Sequence, residues 1–206
     1  MANWYERHIL PHIIRAGCGC AEFDVLREPV IGRASGTVLE LGIGAGANLK
    51  WYDPGKVSQV MAVEPSAELR AMTAKARRPQ GLAVEVVDGL AEALPYGDAQ
   101  FDTVVCTYTL CTVGDPDRTL QEARRVLRPG GQLLFCEHGL APEPGIARWQ
   151  RRVDKVWPAV FGGCHTARPV RKTIARHFAV RDWEGSFQPK MMKLIGWMEH
   201  GSAIAA

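Results

Sequence analysis

Val38-Leu39-Glu40-Leu41-Gly42-Ile43-Gly44-Ala45-Gly46-Ala47-Asn48-Leu49 is the stretch on which the reading of this chain turns. The apolar run from Thr37 to Leu41 reads as a short buried strand, and it feeds a loop with glycine at every second position. Without a Cβ the backbone there can turn tightly and lie directly against a ligand. The spacing G-x-G-x-G is shorter than the G-x-G-x-x-G of dinucleotide binders, and an acid, Glu40, precedes the first glycine. A βα turn that needs glycine only to close would look the same, so the downstream elements must decide.

They follow in a regular order. Gln59 to Val63 is a second apolar strand that stops at Glu64-Pro65-Ser66, and Ser66 with Glu68 opens a helix running through Ala76. In a doubly wound sheet the carboxyl ends of the strands line the ligand crevice, and an acid about twenty residues past the first glycine can accept both hydroxyls of a ribose. Glu64 is the residue so placed. Ala83 to Val87 is strand three, followed by Asp88-Gly89-Leu90-Ala91-Glu92-Ala93-Leu94-Pro95; Phe101 to Cys106 is strand four, and Thr107 to Val113 leaves it toward the crevice. A helix from Pro116 through Leu127 ends at Arg128-Pro129-Gly130-Gly131, a stop signal before strand five, Gln132 to Cys136. Short strands alternating with helices predict a parallel α/β sheet.

This succession resembles the class I S-adenosylmethionine (SAM) methyltransferases: the glycine loop their motif I, Glu64 their ribose acid, Ala91-Glu92-Ala93-Leu94-Pro95 their adenine-edge segment, and Arg125-Val126-Leu127-Arg128-Pro129-Gly130-Gly131 the turn after motif IV. The resemblance implies a Rossmann-like, doubly wound, mostly parallel seven-stranded sheet with helices on both faces and an N-terminal helix over the cofactor. It implies a cofactor site of Glu40, Gly42, Gly44, Gly46, Asn48, Glu64, Pro65, Leu90, Ala91 and Thr107. One departure stands out: Leu90 occupies the position that often carries the adenine-binding Asp, so adenine recognition falls to backbone N–H groups at Leu90 and Ala91, with Asp88 two residues away. Leu110-Cys111, Glu137-His138, Arg148-Trp149-Gln150, and Gly162-Gly163-Cys164-His165 with Arg168 narrow the likeness to small bacterial methyltransferases related to the thiol S-methyltransferases. The hydrophobic N-terminal membrane anchor of the animal relatives is not expected here.

Composition bounds the rest. The 206 residues suit one domain, divided into a cap-helix region (1–35), a SAM-binding core (36–138) and substrate-specifying helices and last strands (139–206). Asn3 to Ala16 reads as a helix with Pro11 near its first turn, and the resemblance implies that Tyr5 and His8 on it close over the cofactor. A net charge of +3 without long runs of one sign gives no nucleic-acid footprint, and no apolar stretch approaches the roughly 20 residues that span a bilayer. Six cysteines with no cleavable signal peptide read as reduced and cytoplasmic; Cys18-Gly19-Cys20 lacks a second pair for a tetrahedral ion, so no metal is expected. Oligomeric state is open.

Methyl transfer from a sulfonium is an in-line displacement that needs chiefly positioning and the exclusion of water. A thiol acceptor, with its ordinary pKa of about 8.5, asks only for a modest positive field, for which His138, His165 and Arg168 are candidates. An oxygen or nitrogen acceptor more often needs a general base, His138 or Glu137. The catalytic expectation is thus His138, Glu137 and Arg168, and the acceptor expectation Tyr5, Cys111, Trp149, Trp157, Cys164 and His165, the two cysteines as pocket-lining apolar groups. The sequence supports a methyltransferase acting on a small, largely apolar acceptor, preferably a thiol. The alternatives are an O-, N- or C-methyltransferase of a quinone or secondary metabolite, and a SAM-binding regulator without turnover.

Overall fold

The computed structural model describes residues 4–18 and 21–205. The apolar runs form β1 (Gly36–Leu41), β2 (Val57–Val63), β3 (Val84–Val87), β4 (Phe101–Thr107), β5 (Leu127–His138), β6 (Ala179–Phe187) and β7 (Trp197–Ile204). They join in one sheet of order β3-β2-β1-β4-β5-β7-β6, parallel except that β7 runs antiparallel to both β5 and β6. This is the Rossmann-like, mostly parallel sheet expected. The strand order reverses between β1 and β4, which fixes the ligand crevice at their carboxyl ends.

Successive side chains of a strand leave opposite faces, and here both faces are covered, which is why the central strands are apolar throughout. On one face Val38, Val60, Val105 and Leu134 pack with Phe23, Leu26 and Val30 of α3 (Ala21–Ile31). On the other, Leu39, Val104, Leu133 and Phe135 pack with Leu120, Ala123 and Val126 of α5 (Pro116–Val126) and Ile174 of α8 (Val170–Ile174). The helix starts follow local chemistry. Ser66 Oγ accepts the Leu69 N–H at 3.2 Å to cap α4 (Ala67–Thr73), and Asp115 accepts the Arg118 N–H at 2.9 Å ahead of Pro116 in α5.

Two expectations need correction. The single N-terminal helix is instead α1 (Trp4–His8) and α2 (Leu10–Cys18), with Pro11 in the first turn of α2 where its missing N–H costs nothing, and α3 is a further helix that the sequence reading lacks. The Pro129-Gly130-Gly131 signal does not stop the chain before a new strand; it is a bulge inside β5. The β4–β5 ladder jumps from Phe101↔Leu127 to Thr103↔Gln132, and Gly130 takes the turn at φ +78°. Of the Cys18-Gly19-Cys20 stretch, Gly19, Cys20 and the Cys18 side chain lie outside the described residues.

Candidate active site

The glycine loop wraps the carboxyl end of β1. Gly42, Gly44 and Gly46 all have positive φ (64°, 58° and 80°), a region that side chains disfavour. A Cβ on Gly42 would meet Thr109 Oγ1 at 2.8 Å, and one on Gly46 would meet the Ala76 Cβ at 2.8 Å, whereas one on Gly44 would project into open space. That space is the crevice. Glu64, just past β2, accepts the N–H groups of Gly44 (2.9 Å) and Ser66 (3.0 Å), so the acid and the loop hold each other in place. An ionised carboxylate offers about four lone-pair sites, which leaves two for the hydroxyls of a ribose. Burial pushes the Glu64 carboxyl up, and the two backbone N–H groups oppose that shift.

Glu40 sits one layer deeper, 1% exposed. Its oxygens accept Asn48 Nδ2 at 2.8 Å and the Tyr52 hydroxyl at 2.7 Å, and Asn48 also donates to Thr107 Oγ1 at 2.8 Å. Burial pushes Glu40 up to about 7 against those hydrogen bonds and the charge of Arg27. Arg27 is the residue sequence reasoning missed. It is 3% exposed on α3, its guanidinium lies 4.7 Å from the Tyr108 ring centroid, and its Nε and Nη1 make no hydrogen bond among the described residues, with Asp24 Oδ1 3.9 Å from Nη1. Arg27, Glu40, Gly44, Asn48, Thr107 and Tyr108 line a groove of about 790 Å³.

A second cavity of about 320 Å³ meets the first along Ile14, Gly42, Gly44 and Tyr108. Its walls include Glu64, Pro65, Leu90, Ala91, Cys111 and His138, with Cys164 and Phe161 closing it from the segment after α7 (Trp157–Val160). His138 Nδ1 is 3.5 Å from Cys164 Sγ, and its Nε2 is buried without a partner among the described residues. Within the thiol pair, a hydrogen bond from Cys111, then His138, holds Cys164 down while burial opposes; the partner Cys111 is pushed up. Both cysteines line the cavity as expected, packed in the apolar cluster of α3 and set beside the His138 imidazole.

Several expected residues stand elsewhere. Glu137 is fully buried and lines neither cavity. It accepts the N–H groups of Thr109 (2.8 Å), Leu110 (2.9 Å) and Cys111 (3.2 Å), which bends the chain after β4 and leaves Tyr108 at φ +53°. These contacts shape that turn. Arg168 donates to the Leu110 carbonyl from outside the cavity, and burial lowers its pKa. His165 is held at 2.8 Å by Asp154, with its N–H on the Cys111 carbonyl at 2.7 Å, so it braces the loop. Tyr5 donates to the Val160 carbonyl at 2.7 Å, tying α1 to α7, and Trp157 stacks at 3.9 Å behind Phe161. Trp149 is 55% exposed on α6 (Pro144–Val153), beneath the Arg152 guanidinium. Asp88 pairs with Arg70 at 3.2 Å and lines neither cavity.

The sheet order, the glycine cradle and its paired acids are those of the class I SAM-dependent methyltransferases, and the chain belongs to that family; residues 39–135 match the Methyltransferase domain family. Among known proteins it is 38% identical over 144 residues to thiol S-methyltransferase TMT1B of Rattus norvegicus, taking in 68% of this chain and 58% of that protein. It is 32% identical over 120 residues to the ubiquinone/menaquinone biosynthesis C-methyltransferase UbiE of Hahella chejuensis, taking in 56% of this chain and 48% of that one. A SAM-dependent methyltransferase from Thermotoga maritima shares the fold with a TM-score of 0.67 at 20% identity, covering 97% of each chain. The chain thus spans 58% and 48% of the length of these two curated relatives.

The residues fit the family's cofactor. The open space at Gly44 admits a ligand against the backbone, the lone pairs left on Glu64 suit a ribose, and the Arg27 guanidinium nitrogens that make no hydrogen bond suit a carboxylate. Leu90 and Ala91 line the 320 Å³ cavity on the side of Glu64 and Pro65.

Proposed function

We propose that this chain transfers a methyl group from SAM to a small, largely apolar acceptor, with sulfur the preferred atom. SAM, when bound, supplies a methyl carbon on a sulfonium, open to in-line attack. Arg27 holds the methionyl carboxylate, Glu40 faces the ammonium, Glu64 takes the ribose hydroxyls, and Leu90 with Ala91 borders the adenine. The 320 Å³ cavity takes both the adenosine end, against Glu64, Leu90 and Ala91, and the acceptor, against the wall of Cys111, His138 and Cys164. That wall is the observation carrying the reading: it offers an imidazole and two thiols where the nucleophile sits, whereas Glu137, the expected alternative base, is buried out of reach. The likeness to TMT1B supports sulfur; the likeness to UbiE keeps carbon methylation of a quinone as the second reading, with His138 as its base.

The reading includes a cytoplasmic setting, which suits the free thiols of Cys106, Cys111, Cys136 and Cys164, and a small-molecule partner rather than nucleic acid. No helix among the described residues is long and apolar enough to cross a membrane. A turnover screen with methyl-labelled SAM against alkyl and aryl thiols, phenols, quinols and amines tests the proposal. Label is expected in thioethers; label confined to quinols or phenols would overturn the preference for sulfur.

A further inference from the structure

The wall of the acceptor cavity has the donor set of a metal site. Cys111 Sγ, a His138 ring nitrogen and Cys164 Sγ all lie within 4.8 Å of one another, on three segments far apart in sequence. A tetrahedral zinc ion, with Zn–S near 2.3 Å and Zn–N near 2.0 Å, separates a sulfur from a nitrogen ligand by about 3.5 Å. The distance from His138 Nδ1 to Cys164 Sγ is 3.5 Å. Two thiols and one imidazole are soft and borderline donors that favour zinc over magnesium or calcium.

The set is also built. Cys111 is fixed through its N–H on buried Glu137 at 3.2 Å. Asp154 accepts the N–H groups of Thr166 (2.7 Å) and Ala167 (3.3 Å), and the His165 N–H reaches the Cys111 carbonyl at 2.7 Å, which locks the loop carrying Cys164 onto the turn carrying Cys111. Gly163, at φ +83°, makes that approach feasible: a Cβ there would meet the Thr112 carbonyl oxygen at 3.2 Å.

We infer that Cys111, His138 and Cys164 bind one zinc ion, with its fourth coordination position open to the acceptor cavity. No fourth Cys, His, Asp or Glu joins the cluster among the described residues, and all three ligands line that cavity. Three protein ligands with an open position is the arrangement of a catalytic rather than a structural zinc. The second half of the inference rests on the proposed sulfur acceptor: the open position takes the acceptor thiol as its thiolate, the proton passing to solvent. The sulfur then attacks the methyl carbon as the carbon–sulfonium bond breaks, giving a thioether and neutral S-adenosylhomocysteine.

The test uses the full chain, stripped with a chelator and kept reduced by a phosphine rather than a thiol. Zinc titration against a chromophoric competitor should show one equivalent bound. Cobalt(II) in its place should give a thiolate-to-metal charge-transfer band and the visible bands of a tetrahedral site. Cys111→Ser, Cys164→Ser and His138→Gln should each weaken zinc by more than the roughly 10–100-fold that loss of an outer partner costs. SAM calorimetry on the same samples reports folding and the cofactor site independently, so a variant that keeps SAM and loses zinc is decisive even if another variant misfolds. Absence of zinc binding by the parent, or binding undiminished in the three variants, overturns the site while leaving the methyltransferase reading in place. Loss of SAM binding by the parent would instead sink that reading. Addition of a small alkyl thiol should change the cobalt spectrum; a spectrum it leaves unmoved overturns the open position.

Discussion

Glu40 should couple cofactor binding to a proton. Its carboxyl is pushed up to about 7 by burial, so roughly half the free protein carries that proton at neutral pH. The ligand brings an ammonium and a sulfonium into the groove that Glu40 lines, and both favour the carboxylate, so the bound-state pKa falls. The proton must leave for the ligand to bind, which makes affinity rise with pH and level off above the free-state value. For a bound pKa well below 6, the gain between pH 6 and pH 7.5 is about eightfold, and about 0.5 proton is released at pH 7. The sign for the fold alone is opposite. The folded state holds this proton more tightly than the unfolded chain, whose value is 4.5, so the stability it contributes is full below 4.5 and is lost as pH rises through about 7. Calorimetry of SAM in two buffers of different ionisation enthalpy reads both the affinity and the proton count, with Glu40→Gln as the variant in which the step disappears. An affinity flat to within about twofold across that range, or an equal slope in Glu40→Gln, would refute the coupling.

Gly44→Val should abolish SAM binding because its side chain enters the open crevice, and it should also lower the melting temperature because φ +58° strains a β-branched residue; unimpaired binding by calorimetry would move the cofactor elsewhere. Glu64→Gln removes a charge-assisted acceptor worth about 1.5–3 kcal/mol, so SAM affinity should drop about tenfold or more, and parental affinity would show that the ribose is held by another group. Glu137→Ala orphans the N–H groups of Thr109, Leu110 and Cys111 at about 1–3 kcal/mol each, a large share of a typical domain stability of about 5–15 kcal/mol. Its melting temperature should therefore collapse, whereas an intact but inactive variant would restore Glu137 to the chemistry. With thiols of graded acidity, the pH profile of kcat/KM should track each thiol's own pKa and shift upward in His138→Ala. One fixed pKa near that of histidine for every acceptor would favour a general base and a non-sulfur nucleophile.

The first five strands were legible because their evidence is local: apolar runs of strand length, a glycine loop, capping residues and turn signals lie within a few positions of what they determine, whereas β6, with Arg181, Asp182 and Glu184 in it, carries no such run. The Pro129-Gly130-Gly131 bulge misled because a chain break and a bulge use the same residues, and only pairing with β4 distinguishes them. Arg27 was invisible for a different reason. Phe23, Leu26 and Val30 mark the buried stripe of α3, but nothing in the sequence says that the charged residue beside them turns inward over Tyr108. The cluster of Cys111, His138 and Cys164 is assembled by turns after β4, β5 and α7, so its spacing in sequence carries no ligand signature.

The exchange of roles between Glu137 and His138 was nonetheless written into β5. Adjacent residues of a strand point to opposite faces, so His138 shares its side with Cys136 and Glu137 shares its side with Phe135. Cys136 packs in the cluster of α3, and the His138 ring meets Phe23 of that helix at 5.6 Å; Phe135 packs in the cluster of α5 and α8. Glu40, Glu64 and Glu137 all stand at or near strand ends, and what separates their tasks is which donors reach them. Glu137 is met by backbone N–H groups of Thr109, Leu110 and Cys111 and by no cavity, so its charge is absorbed by the fold. Glu64 is met by two N–H groups and keeps lone pairs toward the crevice, while Glu40 is met by Asn48 and Tyr52 with the groove beside it. A strand-end acid becomes a ligand group only where the neighbouring loops leave it something to accept with, and that is a property of the loops, not of the acid.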